Sequence, residues 1–187
     1  MIGRKQELEH LETLYSNNSF EYLVMYGRRR VGKTTLLQEF AKNTNTIFYP
    51  AQSKNDALNL EDFSKMIQIH FDGSFIASFK GWKDAFEYID KKADKRTAII
   101  IDEFPFLVEE NPTIKSVLQH TIDHLWKKNS NIFLILCGSS VSFMETDVMG
   151  NKSPLHDRQT SSLEILPFDY LDSSMFFNNY TNEQKLI

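Results

Sequence analysis

The chain has one cysteine, Cys137, among 187 residues, so it cannot form an internal disulfide, and it suits a reducing compartment. It lacks any apolar run approaching the roughly 18 residues of a membrane-spanning helix. Its start, Met1-Ile2-Gly3-Arg4-Lys5-Gln6-Glu7, has no apolar signal core. These absences lead to the expectation of a soluble, cytoplasmic protein with no membrane partner. An excess of positive charge is also missing: 21 Lys and Arg stand against 25 Asp and Glu, for a net charge of −4. That balance argues against a general polyanion-binding surface and leaves room only for a local basic patch. There is no repeat, low-complexity tract or clear interdomain linker. With 41% hydrophobic residues, the chain can bury one full core but is too short for two large ones, so a single domain over 1–187 is expected.

Only seven glycines occur, and two of them stand five positions apart in Gly27-Arg28-Arg29-Arg30-Val31-Gly32-Lys33-Thr34-Thr35. This segment satisfies G-x-x-x-x-G-K-[ST], a phosphate-binding loop. Glycines let successive backbone N–H groups curl around a phosphate chain with no Cβ in the way, and a bulkier residue at Gly32 would block that approach. A helix starting near Lys33 turns its unpaired N–H groups and positive dipole end toward the same anion. Lys33 can reach the β- and γ-phosphates, and the Thr34 hydroxyl can ligate Mg²⁺. Thr35 adds a second hydroxyl of the kind that packs or caps. Nucleotide is therefore the leading ligand.

The surrounding pattern is that of an α/β protein. Leu23 to Tyr26, Thr46 to Tyr49, Ala98 to Ile101 and Ile132 to Cys137 read as buried strands, and Leu163 to Leu166 as a weaker fifth. Helical spacing marks Lys5 to Tyr15, the segment with Leu36, Leu37, Phe40 and Ala41, Leu60 to Phe71, Trp82 to Ile89, and Ile114 to Trp126. Strands alternating with helices imply a parallel sheet. Phe104 and Phe106 are expected to pack under the exit of the third strand. Lys127-Lys128 and the group Lys91, Lys92, Lys95 and Arg96 read as solvated helix ends. His120 and His124 share a helix face, but Thr121 replaces the Glu of a zinc-binding H-E-x-x-H, which leaves a structural or solvated pair.

A nucleotide hydrolase needs an acid at the end of a second buried strand to hold Mg²⁺ through its water shell, and Asp102 closes Ile99-Ile100-Ile101. Glu103 follows, where a carboxylate can orient and deprotonate a water attacking the γ-phosphate. Beyond the next strand stand Gly138-Ser139-Ser140. Either serine could sense the γ-phosphate or hold the water, or could simply serve the turn. Arg28, Arg29 and Arg30 could face solvent, a partner's acid or the phosphates themselves.

Together these motifs resemble the archaeal-type or prokaryotic ATPases of the AAA+/STAND group. The matching segments are Gly3-Arg4 with Glu7-Leu8, Tyr26 to Thr34, Ile101 to Pro105, and Cys137 to Ser140. The resemblance covers residues 2 to about 170. It implies a three-layer P-loop fold with about five parallel strands, helices on both faces, and an extra strand between the loop strand and the acid strand. It also implies ATP as the nucleotide and a leading segment, 1–19 with Gly3 and Arg4, near the adenine. Members continue into a helical or winged-helix lid, so 168–187 reads as the start of a missing lid or linker; DNA would be engaged through a missing carboxy-terminal region, and a protein partner or self-association is the other expectation. The family pattern S-P-L-Y-G-R-R-T stands here as Ser153-Pro154-Leu155-His156-Asp157-Arg158-Gln159-Thr160. Arg158 matches a position able to offer positive charge to a γ-phosphate, in cis or across a subunit interface, and otherwise reads as a surface residue pairing locally.

The resulting expectation is a Mg²⁺-dependent ATPase module in which Lys33, Glu103, Ser139 and Arg158 serve catalysis, residues 27–35 bind nucleotide, and Thr34 and Asp102 hold the metal. The alternative is a nucleotide-gated switch with little turnover, acting by self-association or on a partner. A phosphotransferase would need an acceptor-binding motif that is not visible. No N-K-x-D guanine-reading segment is present.

Overall fold

The computed structural model describes residues 3–168. The expected lid or linker start, 168–187, lies outside them apart from Phe168. Five parallel strands form one sheet: β1 (Glu21–Tyr26), β2 (Thr46–Pro50), β3 (Thr97–Asp102), β4 (Ile132–Gly138) and β5 (Ser161–Glu164), in the order β2-β3-β4-β1-β5. Thus β4 lies between the loop strand β1 and the acid strand β3, as the resemblance implied.

Strand side chains alternate between faces, and the alternation divides the core. Tyr22, Val24, Ile99, Ile101, Leu134 and Leu136 pack toward α3 (Asp56–Asp72), α4 (Trp82–Lys92), α5 (Phe104–Glu110) and α6 (Ile114–His124). Leu23, Met25, Ile100, Phe133, Ile135 and Cys137 pack toward α1 (Lys5–Ser16) and α2 (Lys33–Ala41). Helices on both faces of a sheet whose central strands β3 and β4 are buried throughout make three layers. Asn55 caps α3 by accepting from the Leu58 N–H at 2.9 Å. Buried Asn59 binds the backbone of the segment leaving β2, donating to the Gln52 and Lys54 carbonyls.

Several expectations need correction. The fifth strand lies two residues earlier than its apolar pattern suggested, because β1 pairs Leu23 with Ser161 and Tyr26 with Glu164. Ile165 still donates its N–H to the Tyr26 carbonyl at 2.7 Å, while Leu166 is exposed. Residues 104–110 form a helix rather than an exit loop. The last expected helix ends at His124 and yields to a 3₁₀ turn, Trp126–Lys128. A short helix, Val141–Phe143, and a π turn, Met144–Val148, follow β4. Arg96 is not a solvated helix end. Its Nε donates to the Tyr15 carbonyl and Nη2 to that of Leu14, both at 2.8 Å. Nη1 donates to the carbonyls of Ser19 at 2.7 Å, Ser130, and Ile132 at 3.3 Å. No helix among the described residues is long and apolar enough to cross a membrane.

Candidate nucleotide site

The pairing register assembles the site. Tyr26 pairs with Gly138 and Ile101 with Leu136, so the loop after β1, Asp102 and Ser139 emerge together at the carboxyl ends of neighbouring strands. Open α/β sheets bind ligands in this crevice. A cavity of about 300 Å³ there is lined by Arg29, Arg30, Gly32, Lys33, Thr34, Thr35 and Glu103. A somewhat larger groove, about 370 Å³, lies beside Tyr49, Met66 and Ile69 but contains none of these groups. The smaller, charged cavity is the one matched to phosphate.

Two glycines shape the loop. Gly27 has φ 152°, and a Cβ on it would lie 2.2 Å from the Ile165 carbonyl oxygen. Gly32, the residue before α2, has φ 92°, and a Cβ there would meet nothing within 4 Å, so among the described residues its constraint is the backbone angle. Lys33 is 5% exposed, and its ammonium donates to the carbonyls of Gly27 at 2.7 Å and Arg28 at 2.9 Å. An ammonium carries three protons, so one remains for a phosphate oxygen.

The Thr34 hydroxyl donates to Asp102 Oδ2 at 2.7 Å, and Asp102 Oδ1 accepts the Glu103 N–H at 3.1 Å. A hydroxyl and a carboxylate form a hard oxygen donor set. They suit Mg²⁺, which takes few protein ligands and completes its shell with water and phosphate. Among the described residues, no group of three or more His, Cys, Asp or Glu side chains is placed to hold a metal, His120 and His124 included. Buried Cys137 lies against this acid. Burial, above all, and then the Asp102 carboxylate push its thiol pKa well up, so it stays a neutral core residue.

Glu103 has φ 53°, a left-handed conformation that costs a non-glycine residue on the order of 1 kcal/mol and that clusters at functional sites. Its Oε2 accepts the Ser139 N–H at 3.2 Å and the Ser139 hydroxyl at 2.9 Å. This contact separates the two serines, since Ser139 touches the acid beside the pocket. Arg30, with φ 67°, is the other left-handed non-glycine residue at the cavity.

Other candidates lie elsewhere. Arg158 forks onto Asp123, with Nε at 3.1 and 3.0 Å from the two carboxylate oxygens and Nη2 at 2.7 Å from Oδ2. Its Nη1 donates to the His156 carbonyl at 3.0 Å, and it does not line the cavity. Asp123 had no signal in the sequence beyond its spacing from Lys127, which also pairs with it. Gly3, with φ 66°, precedes α1. Arg4 is 4% exposed and bridges three places: Nη1 binds Glu7 at 2.7 Å, while Nη2 donates to the carbonyls of Val31 at 3.0 Å and Leu166 at 2.5 Å. It also lies over the Phe168 ring. Arg4 therefore braces the loop's backbone.

Known proteins share this fold. A family model described as an ATPase domain predominantly from Archaea matches residues 1–186. An uncharacterized protein of Methanocaldococcus jannaschii, MJECL04, is 34% identical over 177 residues, covering 94% of this chain and 38% of its own. A stretch of 42 residues is 48% identical to an uncharacterized ATP-binding protein of the same organism, MJ0423, covering 22% of this chain and 71% of that protein. Among solved structures, a Walker-type ATPase of Pyrococcus abyssi superposes with a TM-score of 0.65 at 21% identity, covering 96% of this chain and 57% of its own. The Aeropyrum pernix ORC2 protein, solved as ADPNP-ADP complexes, gives 0.65 at 15% identity over 97% of this chain and 51% of its own. The ORC1 protein of that organism, solved with DNA, gives 0.64 at 16% over 96% and 49%. The chain thus spans well under two thirds of the relative that matches along most of its length. With the loop, the acid strand and the five-stranded order all in place, the chain belongs to the P-loop ATPase domain family found predominantly in Archaea.

Proposed function

We propose that this chain is the Mg²⁺-dependent ATP-hydrolysing module of a STAND-type member of the group. The observation that carries the reading is the contact of the Thr34 hydroxyl with Asp102, with Glu103 next in sequence and turned to the cavity. The loop amides and the free proton of Lys33 bind the phosphates. Thr34 and Asp102 would hold Mg²⁺, which would supply neutralisation of the phosphates' negative charge. Glu103 accepts the proton of the attacking water, and Ser139 fixes the carboxylate that does so. Thr35 lines the cavity beside Thr34. Residues 1–19 brace the adenine side through Gly3 and Arg4.

The test is phosphate release from Mg·ATP. Glu103→Gln should retain nucleotide binding and lose turnover by about a hundredfold or more, while Lys33→Ala should lose binding itself. Full turnover in Glu103→Gln would end the assignment of the base, and undiminished calorimetric affinity in Lys33→Ala would end that of the loop.

A second reading is favoured by the hold of Ser139 on Glu103: a switch whose ADP and ATP states gate self-association or a protein or DNA partner, with slow turnover. Size-exclusion profiles with ADP and with a non-hydrolysable ATP analogue should then differ, and identical profiles would sink it.

A further inference from the structure

Phosphoryl transfer spreads negative charge over the oxygens of the moving group, and a positioned arginine is the usual answer to it. Arg158, the residue that the sequence pattern offers, is committed elsewhere, since its planar fork is taken up by Asp123 and the His156 carbonyl. Two other guanidinium groups are better placed. Arg29 and Arg30 line the phosphate-loop cavity with Lys33, Thr34 and Glu103. Both are exposed, and neither side chain has a hydrogen bond or ion pair among the described residues.

The backbone adds an independent argument. Arg30 stands at φ 67°, where glycine would fit without strain and a long side chain does not. A costly residue at a ligand-facing position points to work done by its side chain. Guanidinium also suits the task better than ammonium, because its planar fork grips two phosphate oxygens at once.

We propose that Arg29 and Arg30 read the γ-phosphate in cis, making the domain prefer ATP to ADP and supplying the positive charge of the transition state from the loop itself. No arginine from a second subunit is then needed. The inference rests on the ATPase reading above and adds to it the residues that distinguish triphosphate from diphosphate.

The experiment compares the whole chain with Arg29→Gln, Arg30→Gln, Arg30→Lys, Arg30→Gly and Arg158→Gln. Calorimetry gives affinities for ADP and a non-hydrolysable ATP analogue, and phosphate release gives kcat. The glutamine variants at 29 and 30 should lose at least about tenfold in triphosphate affinity with ADP affinity nearly unchanged, and lose about a hundredfold or more in kcat. Arg30→Lys should recover part of both. Arg30→Gly should be as defective as Arg30→Gln although it melts higher, which separates lost charge from lost fold. Arg158→Gln should keep the wild-type preference. Equal losses for ADP and triphosphate, or unchanged kcat in the glutamine variants, would overturn the inference, as would a kcat loss confined to Arg158→Gln. A wild-type chain that binds neither nucleotide would overturn the ATPase reading as well, whereas one that binds both with arginine-independent preference would remove this inference alone.

Discussion

Gly27 is constrained from two sides. Its angle is one that side-chain-bearing residues rarely adopt, and the atom that an added Cβ would strike is the backbone oxygen of Ile165, which cannot swing aside. Gly27→Ala should therefore cost about 3 kcal/mol or more and abolish nucleotide binding. Gly32→Ala, with open space around it, should cost about 1 kcal/mol in stability. Urea denaturation of the two variants checks the contrast, and equal midpoints would contradict it. Both glycines were legible in the sequence as loop residues, but their difference was not. It depends on Ile165, which reaches Gly27 only because β5 pairs with β1 in one register. Likewise Asp102 and Glu103 were legible from their place at the end of an apolar run. The hold of Ser139 on Glu103 was not, because Ser139 and Ser140 are adjacent and only β4's exit geometry chooses between them.

Among elements, α6 is tied to the segment before β5 by the Asp123–Arg158 pair. Hydrogen bonding from Arg158 is the largest cause holding the Asp123 carboxyl below its ordinary value, with Lys127 adding to it. A carboxyl depressed by folding stabilises the fold above its unfolded pKa of about 4 and loses that contribution as pH falls through the depressed value. Asp123→Asn should therefore be less stable than wild type near neutrality, and the gap should close at acid pH. Denaturant midpoints measured from about pH 7 down to about pH 2.5 test this, and a gap constant across the range would refute it. Elements built on long apolar runs, such as β3 and β4, were readable because every side chain in them is buried. Helix α5 was hidden: Phe104-Pro105-Phe106-Leu107-Val108 is apolar throughout, so the i, i+3, i+4 spacing of buried Phe104, Leu107 and Val108 does not stand out, and its proline sits in the first turn, where the missing N–H costs nothing. β5 lies earlier than its pattern because its first two residues are serines, while the apolar positions begin at Leu163 and run on to Ile165 and Leu166 beyond the strand.

At the scale of the molecule, Arg96 joins parts of the chain that sequence reading could not connect. Its guanidinium binds the carbonyls ending α1, the turn before β1, and the approach to β4. Arg96→Ala should cost about 3 kcal/mol, a fall in Tm of about 6–12 °C. Because this hub lies at the amino-terminal ends of the strands, nucleotide affinity per folded molecule should stay near wild type. Calorimetric melting with and without nucleotide separates the two, and a lost affinity without lost stability would contradict the placement. Arg4 has the opposite position. One guanidinium nitrogen grips both the Val31 carbonyl, just ahead of Gly32, and the Leu166 carbonyl, where the chain leaves the sheet. A shift of the chain at Leu166 and a shift of the phosphate loop at Val31 therefore meet at one buried guanidinium, which ties the position of the loop to that of the strand exit.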